Sequence, residues 1–295
     1  MRREEMKIGF IGGGRVGRSF GKYLVNKGFE VTGYYSRSYT SAITAASYTN
    51  STAYDILHEL IEDSDAIFIT TPDDSIKIVC NEMVESGKLK KGQILIHMSG
   101  AHSSSILQTA TEFGCHIYSL HPLQAFANID VAVEKLKNTV FSLEGDNDNI
   151  EKVIDILKAC GNEYFIIDGE NKALYHGAAC VASNYLVTLM DLSLKMLEAA
   201  GIEPMYGFKA MSPLIYGSLE NIMTLGASDA LTGPIPRGDL NTIERHLKAM
   251  EDKLPNEISL YKKLGDETTK LASRKKLKDT ALITSLNKLW KEEII

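Results

Sequence analysis

The sequence predicts an α/β fold, in which a doubly wound parallel sheet is followed by an all-helical domain. Three observations predict it. Short apolar runs alternate with helical stretches as far as about residue 169, which is the rhythm of parallel strands joined by crossover helices. A glycine-rich turn directly follows the first apolar run. Beyond residue 170 only helical periodicity remains.

Each strand is predicted from a short apolar run bounded by polar or turn residues. The runs occupy residues 8–11, 30–35, 66–70, 93–98, 117–120, 139–143 and 164–167. A helix over residues 149–160 separates the last two. The carboxyl ends of parallel strands meet at the edge where doubly wound folds bind ligands. Polar residues just after these runs are therefore the first candidates for a site.

The second half of the chain is predicted to be helical. One long helix covers residues 171–200 and stops at Gly201 and Pro204. Further helices are expected over residues 205–225, 239–250, 257–275 and 280–291. Because no Pro-, Gly- or Ser-rich linker marks the change of architecture, we expect two closely packed domains, residues 6–169 and 170–295.

Composition excludes several functional classes. The 295 residues carry a formal net charge of -6, which supplies no positive field for nucleic acid. The four cysteines show no C-x-x-C pairing, so we expect reduced thiols. The N-terminus lacks an apolar signal core, and the least polar stretch, residues 178–190, is short for a bilayer. A cytoplasmic protein with a small-molecule partner is expected.

Residues 12–17, GGGRVG, form a G-x-G-x-x-G motif between an apolar strand and a helix. There the first glycine permits the tight turn, the second lets the backbone approach a pyrophosphate, and the third lets the helix pack on the strand. Free N–H groups at the helix start favour the anion. The motif predicts a Rossmann dinucleotide-binding domain with contacts from Gly12, Gly14, Arg15, Val16 and Gly17.

The end of the second strand selects between dinucleotides, because a carboxylate there binds the ribose hydroxyls and repels a 2′-phosphate. Ser36, Arg37 and Ser38 offer hydroxyls and a guanidinium at this point, and no carboxylate. NADP is therefore the predicted cofactor, with NAD as the alternative. Thr71 and Pro72, which follow the run 66–70, are expected to line the same crevice.

Polar residues after two later strands are candidates for proton transfer. His121 can act as a proton shuttle for a hydroxyl that becomes a carbonyl, although a structural histidine bonded to a loop carbonyl is the alternative. Ser99 would add a hydroxyl to the same reacting oxygen. Gln124, in the loop after His121, is placed with the substrate-binding residues.

On the long helix, Lys172, His176 and Asn184 share one face, since His176 and Asn184 follow Lys172 by 4 and 12 residues. Buried ionisable groups are costly unless they are paired or functional. We expect catalysis or substrate binding from these residues, while solvation in the first turn is the alternative for Lys172.

The loop 231–239, rich in proline and glycine, is expected to hold Arg237 rigidly, so that its planar guanidinium can clamp a carboxylate. A solvated Arg237 is the alternative. Asp239 is placed in the same substrate site, and Asp239 or Asn241 can cap the next helix. The remaining histidines have no partner at ligand spacing, so no metal is predicted.

Several stretches resemble a known family. They are IGFIGGGRVG (8–17), HMSG (97–100), SLHPLQ (119–124), KALYH (172–176), ACVASN (179–184), LTGP (231–234) and RGD (237–239). Together they resemble Rossmann-like proteins that carry a helical domain of the DUF2520 type. That family is similar to pyrroline-5-carboxylate reductases, 6-phosphogluconate-dehydrogenase-like enzymes and ketopantoate reductases, which implies NAD(P)H-dependent reduction of small acids.

One branch of the family is similar to the PanG-type ketopantoate reductases of pantothenate biosynthesis. Ser99 and His121 also match, in order and approximate spacing, the catalytic pair of prephenate dehydrogenases. Lys172 and Asn184 depart from ketopantoate reductases, whose Lys-to-Asn spacing is shorter. Which of His121, Lys172 or His176 donates the proton therefore stays open.

The first hypothesis is an NADPH-dependent oxidoreductase that reduces a small 2-oxo acid, most concretely 2-dehydropantoate to pantoate. Lys172 or His121 would protonate the oxygen, Ser99 and Asn184 would orient it, and Arg237 would hold the carboxylate. The alternatives are a dehydrogenase of prephenate or another β-hydroxy acid, and a non-catalytic NADP-binding sensor.

A homodimer is also predicted. Residues 205–225 present an apolar band wider than one small domain can cover, and a two-fold contact is the commonest soluble solution. The resemblance points the same way, because related reductases pair through this domain. Packing of the band on the helix 171–200 is the alternative.

Overall fold

The computed structural model describes residues 6–291. The chain forms two compact units, of which the first ends at Asn184 and the second begins at Tyr185. The last strand ends at Ile166, and the helical run that follows continues past the boundary between the units. The domain division at residues 169 and 170 stays a prediction.

The first unit is built on one eight-stranded sheet with the order β3-β2-β1-β4-β5-β6-β7-β8. Its strands are β1 (Lys7–Ile11), β2 (Glu30–Tyr35), β3 (Thr52–Tyr54), β4 (Ala66–Ile69), β5 (Ile94–His97), β6 (His116–Pro122), β7 (Phe141–Gly145) and β8 (Tyr164–Ile166). All neighbours are parallel except β6 and β7. The predicted α/β class is confirmed. Only β3 was not predicted, because its three residues carry too little pattern.

Helices cover both faces of the sheet. They are α1 (Arg15–Asn26), α2 (Tyr39–Thr49), α3 (Leu57–Asp63), α4 (Asp73–Glu85), α5 (Ile129–Leu136) and α6 (Ile150–Cys160), together with the 3₁₀ helix Ser104–Phe113. The helix α7 (Lys172–Cys180) follows β8 along the chain. Successive strand residues point to opposite faces, so Phe68 of β4 packs in one buried cluster and Ile67 in the other. On the first face Phe10 stacks on Tyr34 and Phe68, with ring centroids 5.0 and 5.3 Å apart. This core holds the loops at the carboxyl edge in place.

The predicted long helix exists as a continuous helical run. After α7 come a π-helical turn, Val181–Tyr185, and then α8 (Leu186–Ala199). Among the described residues, one helix, Gly169–Ala199, is long and apolar enough to cross a membrane by length and composition alone. The expectation that this region is too short for a bilayer was therefore wrong, because the helix extends on both sides of residues 178–190. One such helix is weak evidence for a membrane span.

The second unit is helical, as predicted. After α8 it contains α9 (Pro204–Leu225), α10 (Ala227–Ala230), α11 (Pro234–Arg237), α12 (Leu240–Lys253), α13 (Ile258–Lys275) and α14 (Thr280–Lys291). Its core centres on Trp290, whose indole N–H donates to Thr269 Oγ1 at 3.0 Å. A Cβ on Gly265 would lie 2.7 Å from the Trp290 ring, so the absence of a side chain lets α13 and α14 approach closely. The single turns α10 and α11 were not predicted.

Candidate functional site

A crevice of about 490 Å³ opens at the carboxyl edge of β1, β2 and β4. It is lined by the glycine turn after β1, by the residues after β2 and by the loop between β4 and α4. The sequence-predicted residues that line it are Gly12, Gly14, Ser36, Arg37, Ser38, Thr71 and Pro72. Arg15 is exposed at the start of α1, while Val16 packs against the aromatic core and Gly17 is buried.

The three motif glycines differ in what a side chain would meet at each position. Gly12 has φ +112°, and a Cβ on it would lie 2.8 Å from the carbonyl carbon of Thr70. A Cβ on Gly17 would lie 2.4 Å from the Gly12 carbonyl oxygen, because helix and strand approach each other there. A Cβ on Gly14 would meet no atom within 4 Å. The protein itself therefore does not need glycine at position 14, whereas a ligand lying against the backbone would.

The crevice fits a dinucleotide. No side chain caps the N-terminus of α1, and its first turn carries no acidic residue, so the free N–H groups and the positive helix end face the crevice. Within residues 6–291 the Thr71 hydroxyl is buried without a hydrogen-bond partner. Residues 36–38 bring an exposed guanidinium and two hydroxyls. Glu82 of α4 also lines the crevice, which the sequence reasoning missed.

A polar cluster lies at the carboxyl edge of the neighbouring strands β5 and β6. Lys172, the first residue of α7, is only 1% exposed. Its Nζ donates to Ser119 Oγ at 2.8 Å and to the Ser99 carbonyl oxygen at 3.4 Å. Ser119 Oγ in turn donates to that same Ser99 oxygen at 3.2 Å. The first-turn lysine is thus buried in the protein and not solvated, while its role in catalysis or substrate binding stays a prediction.

The charge on Lys172 is poorly compensated. Burial lowers the pKa of its ammonium from 10.5 to about 8, while Glu144 and Asp73 act at a distance in the opposite direction. No carboxylate of the described chain forms a direct ion pair with it. The Glu144 carboxylate instead accepts from the Ser104 backbone N–H and hydroxyl at 2.6 and 2.8 Å. A buried ammonium in this situation favours an anionic or electron-rich ligand.

His121, at the carboxyl end of β6, faces two residues of α7. Its Nδ1 lies 2.8 Å from the Tyr175 hydroxyl, and its ring centroid is 6.1 Å from that of His176. A Cβ on Gly100 would lie 2.7 Å from His176 Cδ2 and 2.9 Å from His121 Nε2, so both rings close on this glycine. Burial, Lys172 and His176 lower the pKa of His121 to about 4. His121 is therefore neutral at pH 7.

The turn after β5 presents Ser99. Its Oγ accepts from the backbone N–H groups of Ala101 and His102 at 3.2 and 3.3 Å, which leaves its own proton available to donate. His97 holds this turn: its Nδ1 accepts from the Ser99 N–H at 3.2 Å, and its Nε2 donates to the Ser103 carbonyl at 3.1 Å. Burial lowers the pKa of His97 to about 4, so it is a neutral structural group.

The remaining predicted residues are Asn184, Gln124, Arg237 and Asp239. Asn184 is exposed in the π-helical turn. The Gln124 amide donates to the Ala132 carbonyl at 3.1 Å and accepts from Thr139 Oγ1, which are structural bonds. Arg237 is exposed in the second unit, and Asp239 caps α12 by accepting from the Thr242 N–H at 3.1 Å. Of the two residues predicted to cap this helix, Asp239 and Asn241, it is Asp239 that caps it.

Four members of the cluster escaped sequence reasoning: Ser119, Tyr175, His97 and Gly100. Ser119 and Tyr175 stand beside residues that were singled out, His121 and His176, but a single sequence does not show which neighbours point inward. The strand alternation was an available signal, because Ser119 and His121 are two residues apart and share a face. Within the described chain, no group of three His, Cys, Asp or Glu side chains comes together to hold a metal.

Comparison with known proteins places two domain types on the chain. Residues 1–122 match the model of the Rossmann-like domain, and residues 139–268 match that of a domain of unknown function, DUF2520. A search of curated proteins found no similar sequence.

Solved structures share the fold over more than nine tenths of this chain. A Bacteroides fragilis protein described as a candidate NADP oxidoreductase is 23% identical, with a TM-score of 0.75 over 91% of this chain and 100% of that one. A Thermotoga maritima protein, TM1727, is 29% identical, with a TM-score of 0.71 over 92% and 100%. Pyrroline carboxylate reductase from Plasmodium falciparum, solved with NADP bound, is 15% identical, with a TM-score of 0.58 over 92% and 100%.

The predicted resemblance to Rossmann-like proteins with a DUF2520 domain is confirmed by both domain models, and the fold is shared with the pyrroline carboxylate reductase. The glycine turn lies in the first matched region, and Lys172, Tyr175 and His176 lie in the second. The chain thus matches the two domain models one after the other, the Rossmann-like model first and the DUF2520 model second.

Proposed function

We propose that the protein is an NADPH-dependent reductase of a small carboxylic acid that carries a C=O or C=N group. The buried Lys172 ammonium is the observation that carries this proposal. It has hydroxyl and carbonyl partners but no direct carboxylate, and it lies one strand away from a crevice that fits a dinucleotide. A buried cation at a sheet edge that binds ligands is costly unless it stabilises charge during binding or reaction.

The cluster offers separate groups for the steps of a reduction. The Lys172 ammonium, linked to Ser119 at 2.8 Å, is a proton source whose pKa of about 8 suits neutral pH. Neutral His121 and the Ser99 hydroxyl can donate hydrogen bonds to the reacting oxygen. We assign orientation to Ser99 and His121 and proton supply to Lys172. His176 and Asn184 remain candidates for contact with the substrate.

For the cofactor we propose NADPH, with NADH as the weaker alternative. The turn at residues 12–17 and Thr71 would hold the pyrophosphate, and Ser36, Arg37 and Ser38 would hold the 2′-phosphate. When bound there, the dinucleotide would supply a hydride. Two structural relatives, one described as a candidate NADP oxidoreductase and the other a reductase solved with NADP bound, support this choice.

For the substrate we propose a 2-oxo acid, most concretely 2-dehydropantoate. A carbonyl oxygen needs a proton from the protein as it is reduced, and the buried ammonium supports that requirement. A cyclic imino acid is the second candidate, favoured by the pyrroline carboxylate reductase among the structural relatives. An oxidative reaction on prephenate and a non-catalytic NADP sensor are the remaining alternatives.

A substrate panel tests the proposal. Purified protein is incubated with NADPH and 2-dehydropantoate, other 2-oxo acids or pyrroline-5-carboxylate, and with NADP⁺ and prephenate, while absorbance of the reduced nicotinamide is followed. We expect NADPH oxidation with a 2-oxo acid. Turnover of only the imino acid would keep the reductase class and reject the oxo acid. Reduction of NADP⁺ by prephenate, or binding of NADP without any turnover, would contradict the proposal.

We also propose that the protein is a cytoplasmic homodimer formed through the helical unit. α8 and α9 pack on each other, since a Cβ on Gly207 would lie 3.0 Å from Leu197 Cδ1. α9 nevertheless leaves large apolar side chains exposed: Met205 is 80% exposed, Leu214 72% and Met223 87%. Patches of this kind are usually covered by another protein surface. A second copy is the commonest occupant, and a membrane is the competing one.

A further inference from the structure

His121, Ser142 and Phe165 form one row across three neighbouring strands. His121 of β6 is paired with Ser142 of β7, and Ser142 is paired with Phe165 of β8. Side chains of paired residues project from the same face of a sheet. Tyr175 of α7 lies on this row, with its ring edge-on to those of His121 and Phe165 at centroid distances of 5.6 and 5.9 Å.

The hydrogen bond between Tyr175 and His121 has a direction. Burial raises the pKa of the Tyr175 phenol, so its oxygen keeps the proton near neutral pH. Ser142 Oγ is fully buried and, within residues 6–291, has no hydrogen-bond partner. A protonated phenol is a better donor than acceptor, and the unprotonated nitrogen of a neutral imidazole is a good acceptor. The phenol proton is therefore directed at His121 Nδ1, 2.8 Å away.

Lys172 reinforces the position of the ring. Its Nζ lies 5.4 Å from the centroid of the Tyr175 ring, over the electron-rich face. The ring is therefore held by Lys172 on its face and by Phe165 and His121 at its edges. A side chain held in this way can orient a neighbour without itself touching a ligand.

We propose that Tyr175 is a positioning residue that holds His121 in the tautomer with its proton on Nε2. That nitrogen faces Gly100, where a Cβ would lie only 2.9 Å away, so the missing side chain leaves it uncovered. His121 then presents an N–H donor to the site, not a lone pair. The inference rests on the proposed function in treating His121 as the group that faces the reacting oxygen, but the tautomer itself can be measured without substrate.

The test is ¹⁵N NMR of protein labelled at histidine, with His121 assigned through His121→Gln. In the wild-type protein we expect Nδ1 to be the unprotonated nitrogen and Nε2 to carry the proton. In Tyr175→Phe the Nδ1 signal should move to the position of a nitrogen without a hydrogen bond. The pKa of His121 should rise by about one unit, because a donor to Nδ1 stabilises the neutral ring. Lys172, His176 and Asp73 also act on His121 and are unchanged in this variant.

The chain contains a matched control. His246 Nδ1 lies 2.8 Å from the Tyr261 hydroxyl in the second unit, with the rings also edge-on. Tyr261→Phe should change the His246 signals and leave those of His121 as in the wild type. Tyr175→Leu should move the His121 Nδ1 signal in the same direction as Tyr175→Phe, and it provides a second variant should Tyr175→Phe fold poorly.

A proton on Nδ1 of His121 in the wild type would overturn the proposal. So would a His121 titration and Nδ1 signal that are the same in Tyr175→Phe and Tyr261→Phe. Because these readouts need no turnover, absence of activity on every substrate would reject the proposed function while leaving the tautomer assignment to stand or fall by itself.

Discussion

The dinucleotide crevice and the Lys172 cluster lie on the same edge of one sheet, yet they are built in opposite ways. The crevice is made by backbone: its glycine turn is open, and Gly14 has free space where a side chain would be. The cluster is made by side chains, closed around a lysine that is only 1% exposed. Binding groups can remain solvated until the ligand arrives, whereas a group that must move a proton is tuned by burial.

This difference separates the expected effects of substitutions. Changes in the crevice should alter the affinity for the dinucleotide and leave the proton step intact. Changes in the cluster should alter turnover and its pH dependence, with the dinucleotide still bound.

The largest effect is expected from Lys172→Met, which keeps the length of the side chain and removes the ammonium. Turnover should fall by at least about 10²-fold, since a positioned proton donor contributes that much. The Kd for NADPH, measured by fluorescence titration, should change by less than about twofold. Lys158→Met, at an exposed lysine of α6, is the control and should leave both quantities unchanged. Turnover unaffected by Lys172→Met would remove Lys172 from the mechanism.

Arg37→Ala should weaken NADPH binding by about 10- to 100-fold, because charge-assisted hydrogen bonds to phosphate are worth about 1.5–3 kcal/mol. NADH lacks the 2′-phosphate, so its Kd should stay the same and serves as the internal control. Both constants can be measured by the same titration. Equal losses for NADPH and NADH would show that Arg37 does not recognise the 2′-phosphate.

The two glycines at positions 14 and 17 should separate binding from folding. A Cβ at Gly14 meets no protein atom, so Gly14→Ala should change the free energy of unfolding by less than about 1 kcal/mol. NADPH affinity should fall about tenfold, because the methyl group occupies the approach of the ligand. Gly17→Ala should instead destabilise the protein by about 1–3 kcal/mol, since its Cβ would lie 2.4 Å from the Gly12 oxygen.

Denaturant unfolding and NADPH titration of both variants check this pair. If Gly14→Ala bound NADPH as tightly as the wild-type protein, the pyrophosphate could not lie against that part of the turn.

The cluster should also appear in the pH dependence. With a pKa of about 8, Lys172 loses its proton above that pH, so kcat for reduction should fall about tenfold per pH unit there. The lowered pKa of Lys172 also affects the free energy of unfolding. Because the folded pKa is below the ordinary 10.5, the unfolded chain binds more protons between about pH 8 and 10.5, and the stability from this group rises with pH across that window. The fall of kcat above pH 8 and the rise of stability with pH should both be absent in Lys172→Met.

The exposed apolar face of α9 belongs neither to the crevice nor to the Lys172 cluster. Its test has the smallest expected effect, a twofold difference in molecular mass. Light scattering at micromolar concentration should give about twice 32.5 kDa. Leu214→Glu with Met223→Glu should give a monomer with unchanged helix content. Flotation with lipid vesicles is the competing measurement. A wild-type protein that is monomeric in light scattering, or that floats with lipid vesicles, would contradict the homodimer.

Part of the fold was predictable from the sequence because it depends on local pattern. The strands around the glycine turn, and the turn itself, follow from short-range periodicity and the positions of glycine, which act within a few residues. The same holds for the helices of the second unit. The short strand β3 escaped because three residues carry no usable period.

The arrangement of the site was only partly predictable. Ser99, His121 and Lys172 could be selected as polar residues at strand ends or on an apolar helix. Their partners could not be selected in this way. Tyr175 and Lys172 are both on α7, while Ser119, Ser142 and Phe165 come from three different strands.

The sequence by itself determined the α/β class, the glycine turn after β1 and the presence of Arg37 with no carboxylate after β2, because each depends on residues close together along the chain. Tertiary structure alone decided that Lys172 is buried and that Tyr175 meets His121. Lys172 and Ser99 are 73 residues apart along the chain, and His121 and Tyr175 are 54 apart. These contacts follow from how α7 docks on the sheet edge. The pKa values of Lys172 and His121 are set by that docking, since burial is a property of the packed chain.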